Sequence, residues 1–149
     1  MTEKTITIEL RQRSSYQFDI EFSEGMPQLM SDEPAPLGEG KGPSPVQLLA
    51  ASVGKCLSDS LFFALAKFKQ KPEPIHTTVS AQVGRNADGR MRVLQIEAKL
   101  RLGVEAHKLE HLDRALEQFQ EFCTVTQSVG QAIPIFVRVL DVSGLILKD

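Results

Sequence analysis

Residues 44–68, SPVQLLAASVGKCLSDSLFFALAKF, form the longest apolar run in the chain and contain one of its two cysteines. The run opens on helix signals. Ser44 is a capping residue, Pro45 suits the first helical position, and Gln47 stands three residues after Ser44 as a capping box requires. From Leu48 onward apolar side chains fall on most sides of a helical wheel, the pattern of a helix enclosed in a core. One polar edge escapes it, where Ser52, Lys55 and Asp59 recur at spacings of three and four. Ala50, Gly54 and Ser58 make a line of small side chains on which another helix or a sheet can approach. A glycine inside a helix costs roughly 1 kcal/mol relative to alanine, so Gly54 is expected to have a packing role. About 20 apolar residues suffice to cross a bilayer, but Lys55 and Asp59 stand in the middle of the run, and no membrane role is expected.

With 149 residues, 42% hydrophobic and 24% charged, the chain suits a single domain over residues 1–149 with a sizeable core. A formal charge of -2 supplies no basic field, so no nucleic-acid partner is expected. The start, MTEKTITIEL, lacks the basic and apolar regions of a secretory signal, and a cytoplasmic protein is the expectation. In that reducing compartment Cys56 and Cys123 are expected as buried free thiols or a redox pair rather than a permanent disulfide.

Alternation of apolar and polar residues predicts strands over 5–10 and 16–22, joined by a polar hairpin connection at 11–15 that projects Arg11 or Arg13 from a sheet end. A short third strand is expected near Leu29. Residues 32–43 collect three prolines and three glycines and read as a loop leading into the long helix. Alternation resumes over 75–85 and, after a turn at 86–89, over 91–102, where adjacent Val93 and Leu94 suggest a bulge. Leu109, Leu112, Leu116, Phe119 and Cys123 at steps of three and four predict a helix over 105–122, and a last strand is expected over 133–142. The order βββ-α-ββ-α-β is an α+β pattern. A helix of about 24 residues is ~36 Å long, more than one small sheet covers, so a homodimer is expected.

The two cysteines are the leading candidates for chemistry, since each lies on an inward-facing line of its helix. Cysteine is also a common small buried hydrophobe. A reactive thiol needs a cation to hold its thiolate; Asp59, one turn from Cys56, acts in the opposite sense, and Arg11 and Arg13 are the candidate cations. Lys55 neighbours Cys56 in sequence but points about 100° away. His107, Glu110 and His111 spell His-x-x-Glu-His, a match to an inverted zinc-protease motif; with Leu109, Leu112 and Leu116 inward, both histidines face solvent, and no metal is expected. No cofactor is expected either, because the glycines of residues 38–42 fit neither phosphate-binding pattern.

The run Pro43-Ser44-Pro45-Val46-Gln47-Leu48-Leu49-Ala50-Ala51, followed by Gly54-Lys55-Cys56, resembles the helix start and first cysteine of the OsmC/Ohr family of organic hydroperoxide reductases. Cys123-Thr124-Val125-Thr126 resembles the second, Cys-Pro-Val-Ser-like site. The resemblance implies an OsmC-like fold in an intertwined homodimer, long central helices being wrapped by sheets of both subunits. It implies a thiol-dependent peroxidase in which Cys56 attacks a small apolar hydroperoxide, Cys123 resolves the product as a disulfide, and an external dithiol resets the pair. It also implies an arginine at the thiolate, which Arg11 or Arg13 would supply, oriented by a glutamate after the proline that opens the helix. Val46 stands at that position. Gln47 occupies the glutamate position of a subgroup reading Pro-Met-Glu, and can substitute by hydrogen bonding. Two further readings follow from Val46: an apolar small-molecule binding dimer without catalysis, and a structural dimer with inert thiols.

Overall fold

The capping signals at residues 44–47 open a helix, α1, at Pro45–Ala66 in the computed structural model, which describes residues 2–149. The box is reciprocal. The Ser44 amide donates to Gln47 Oε1 at 2.9 Å, and the Gln47 amide donates to Ser44 Oγ at 3.3 Å, so two amides left free at the helix start are satisfied. The chain forms two compact units, Met1–Leu48 and Leu49–Asp149, the boundary falling one turn into α1.

The first unit is an antiparallel meander of β1 (Glu9–Ser14), β2 (Gln17–Glu21) and β3 (Leu29–Ser31). β1 lies four residues later than its alternation predicts, so Arg11 and Arg13 are in the strand and not in a connection. Cross-strand pairing decides this: Leu10 faces Ile20, Arg11 faces Asp19, and a tight turn with Ser15 at φ 51° closes the hairpin. The Gly/Pro-rich loop after β3 is tied to buried Asp32, whose carboxylate accepts from the Glu33, Glu39 and Lys41 amides and from Gln17 Nε2. Burial pulls the Asp32 pKa upward, but these hydrogen bonds outweigh it and hold the carboxyl below its ordinary range.

The second unit builds a four-stranded sheet in the order β4 (His76–Arg85), β5 (Met91–Arg101), β6 (Ile135–Leu140), β7 (Ile146–Lys148). β5 and β6 are parallel and the other pairs antiparallel. Period-two alternation puts rows of apolar residues on one face: Ala81, Ile96 and Ile135; Val79, Ala98 and Val137; Thr77, Leu100 and Val139. The expected bulge forms, because Gln82 pairs with Gln95 and Val83 with Val93, leaving Leu94 as the extra residue. β7 was not legible in the short segment after Gly144.

Val53, Leu57, Leu61, Ala64 and Leu65 of α1 are fully buried in the core of this unit. The line of small residues is where β4 comes close. Ser58 Oγ lies 2.6 Å from Thr77 Oγ1, and a side-chain carbon at Gly54 would stand 2.6 Å from Val79 Cγ2. Gly54→Ala is therefore expected to destabilise the protein by about 1–3 kcal/mol despite its better helix propensity. Urea unfolding measures this, and adding Val79→Ala should recover part of the loss; a stabilised single variant would contradict the contact. The helix is long and apolar enough to cross a membrane, with 22 residues and a mean hydropathy of 1.5. In this fold Val53, Leu57, Leu61, Ala64 and Leu65 are buried, Phe62 and Phe63 remain exposed, and the surface of the helix also carries the Lys55–Asp59 ion pair.

The helix expected over 105–122 is instead broken. A 3-10 turn at Ala106–Lys108 precedes α2 (Leu112–Gln118), a second 3-10 turn at Phe119–Phe122, and α3 (Thr124–Val129). Tertiary hydrogen bonds compete with the helical ladder here: the Ala106 amide donates to Asp141 Oδ2 at 2.9 Å and the Glu110 amide to Gln70 Oε1 at 2.9 Å, while His111 adopts φ 59°. Asp141 is buried and also accepts from Ser143 and Leu145. The Ser143 hydroxyl first, then the Ala106 amide, hold its carboxyl at about 2 against the opposing effect of burial. The inward line survives the break, with Leu116, Phe119 and Cys123 all buried.

Candidate functional site

Cys56 sits half-buried midway along α1, between exposed Lys55 and fully buried Leu57. Cys123, fully buried, ends the second 3-10 turn and precedes α3. Its backbone is held on both sides: its amide donates to Gln120 O at 3.2 Å, and its carbonyl accepts from the Gln127 amide at 3.0 Å and Thr126 Oγ1 at 3.2 Å. Among the neighbours that act on ionisation of the Cys56 thiol are the Cys123 thiol and the Val125 amide, so the fold brings the two cysteines into one neighbourhood. Both thiols are free.

A pocket of about 380 Å³ opens over Cys56, lined by Cys56, Asp59, Ser60, Phe63 and Phe122. The first four stand at i, i+3, i+4 and i+7 of α1, one face of a helix. Phe122 arrives beside them because it precedes Cys123. Its ring meets Phe63 edge-on with centroids 5.5 Å apart, and Lys67 Nζ lies 5.1 Å from its centroid. Phe63, Ser60 and Phe122 carry no site motif in the sequence. The i+7 spacing from Cys56 marks Phe63, whereas Phe122 becomes visible only once the chain turns at Cys123.

Burial pushes the Cys56 thiol pKa up. The neighbouring Cys123 thiol raises it further, the Val125 amide lowers it, and negative charge at Cys123 or Asp59 disfavours a second anion. Arg11 is paired with Glu9 at 2.8 Å and Glu21 at 3.5 Å, and Arg13 with Asp19 at 3.3 Å; both guanidiniums are exposed on the first unit. Gln47 is engaged in the capping box through Oε1, and Val46 is half-buried. Of the His-x-x-Glu-His residues, His107 pairs with Glu105 at 3.1 Å, and His111 stacks on Phe68 with centroids 4.8 Å apart. The break in the helix removes the one-turn relation between them.

The arrangement is a half-buried thiol in a pocket walled by two phenylalanines and edged by Asp59, with a second, buried cysteine among its neighbours. Residues 38–138 match the sequence model of the OsmC-like protein family. No curated protein matches the chain by sequence. Among solved structures, a hypothetical protein from Aquifex aeolicus is 21% identical with a TM-score of 0.72, covering 93% of this chain and 96% of that one. An organic hydroperoxide resistance protein OsmC from Legionella pneumophila is 15% identical with a TM-score of 0.72, covering 95% and 100%. One from Elizabethkingia anophelis, also described as an organic hydroperoxide resistance protein, is 17% identical with a TM-score of 0.71, covering 94% and 97%. At these identities the structures establish a shared fold, and the family match covers most of the chain. This protein belongs to the OsmC-like family.

Proposed function

We propose that the protein is a thiol-dependent peroxidase that reduces small apolar organic hydroperoxides. The Cys56 thiol in the Phe63–Phe122 pocket, with Cys123 near enough to act on its ionisation, supports this reading. The Cys56 thiolate attacks the distal peroxide oxygen, the O–O bond breaks, and the alkoxide leaves with the electron pair and takes a proton to become the alcohol. Cys56 is left as a sulfenic acid. Cys123 attacks that sulfur, a disulfide forms, and the hydroxyl leaves as water. An external dithiol returns two electrons and two protons by disulfide exchange. A homodimer is part of this proposal: Phe62, Phe63 and Phe122 around the site, and Ile6, Ile8 and Leu10 near the N-terminus, are large apolar side chains left exposed on one chain. A cytoplasmic location accords with the need for a dithiol reductant.

The test is to add cumene hydroperoxide to the reduced protein and count thiols. Loss of two thiols per chain with formation of one equivalent of alcohol is expected, and loss of neither would sink the proposal. A second reading, a dimer that binds an apolar small molecule without turnover, is favoured by the raised Cys56 pKa and by Val46 at the first turn of α1. It predicts unchanged thiols in the same experiment.

A further inference from the structure

We propose that Asp59 makes the Cys56 pocket selective by charge, admitting neutral electrophiles and oxidants and disfavouring anionic ones. For peroxide substrates the inference rests on the peroxidase reading; for the electrostatics of the pocket it stands without it. Asp59 is the one charged residue among the five that line the pocket, and it faces the same side of α1 as the thiol one turn away. The remaining walls are Phe63, Phe122 and the buried Ser60, none of which offers an anion a counter-charge.

Two lysines stand near enough to alter this field. Lys55 Nζ meets the Asp59 carboxylate at 2.6 and 2.5 Å, but it is exposed and does not line the pocket. The pair is therefore a dipole with its negative end toward the mouth. Lys67 reaches the site only through the Phe122 ring, and its ammonium also reaches Gln118 Oε1 at 3.4 Å. The third ionisable neighbour, Cys123, adds negative charge when deprotonated. Consistent with this layout, the charge of Asp59 acts on the Cys56 thiol and disfavours its anion.

The discriminating experiment compares alkylation of Cys56 in the reduced full-length protein by neutral iodoacetamide and anionic iodoacetate, read by peptide mass and normalised to free cysteine. In both reactions the thiolate forms an S–C bond, iodide leaves with the electron pair, and the thiol proton goes to solvent, so only reagent charge differs. Asp59→Asn is expected to raise the iodoacetate-to-iodoacetamide ratio about three- to fourfold at low salt, the effect of one unit charge a helical turn away in water. Half-molar salt should shrink the change. Lys55→Gln, which strips the counter-ion and leaves the carboxylate, is expected to lower the ratio, a sign that a merely structural disturbance would not reverse. An unchanged ratio in Asp59→Asn, or a larger change in Lys67→Met, would overturn the proposal. If hydroperoxides are not turned over at all, these ratios still decide it, so failure of the peroxidase reading and failure of the charge selection are separable.

Discussion

Cys56→Ser is expected to reduce hydroperoxide consumption by about 10³-fold or more, the scale on which loss of a nucleophile is felt. A serine hydroxyl is far less nucleophilic than a thiolate, and Cys123 cannot take over because it is fully buried. Cys123→Ser should behave differently. It retains the attacking thiol, so about one equivalent of peroxide is consumed per chain and Cys56 stops as a sulfenic acid that dimedone traps. The contrast between the two variants assigns attack and resolution to separate residues. Equal multiple turnover by Cys56→Ser, or continued turnover by Cys123→Ser with a dithiol reductant, would remove the pair from the mechanism. Because the Cys56 thiol is shifted upward, the wild-type rate of attack should climb with pH beyond the ordinary cysteine value of about 8.5 unless a cation is recruited.

Phe119→Ala is expected to cost about 3–5 kcal/mol, the range for removing a fully buried phenylalanine. Phe119 is completely enclosed and is the largest side chain in the core. Lys148 Nζ lies 5.6 Å from its ring centroid while donating to Leu116 O at 2.7 Å, so the ring also seats the end of β7. It opens the 3-10 turn capped by Cys123, so its loss should loosen the placement of Cys123 as well as the core. Urea unfolding gives the first quantity and the rate of Cys56–Cys123 disulfide formation under mild oxidation gives the second. A loss below about 1 kcal/mol would mean the core refills the space, contrary to its observed packing.

Much of this was legible where local chemistry and tertiary packing agree. The Ser44–Gln47 box starts α1 where its side chains require it, the Val93–Leu94 bulge occurs, and the β4–β5 hairpin closes at the expected turn. The errors fall where the two compete. Alternation of Ile6, Ile8 and Leu10 drew the first strand too early, because pairing with β2 extends it through Arg11 and Arg13. The helical spacing from Leu109 to Cys123 predicts one helix, yet a series of short turns keeps the same residues inward. Asp141 and Gln70 take the amides that a continuous helix would have needed.

By itself, the sequence determined the α+β class, the long apolar helix with its cap and close-packing glycine, and two inward-facing cysteines. These depend on periodicity and residue size, which are properties of short segments. The tertiary structure decided that Cys123 lies among the neighbours of Cys56, that Phe63 and Phe122 wall one pocket with Asp59 as its charged edge, and that the thiol pKa of Cys56 is pushed up rather than down. Each of those depends on which distant residues share a site, and burial and charge act through space and not along the chain.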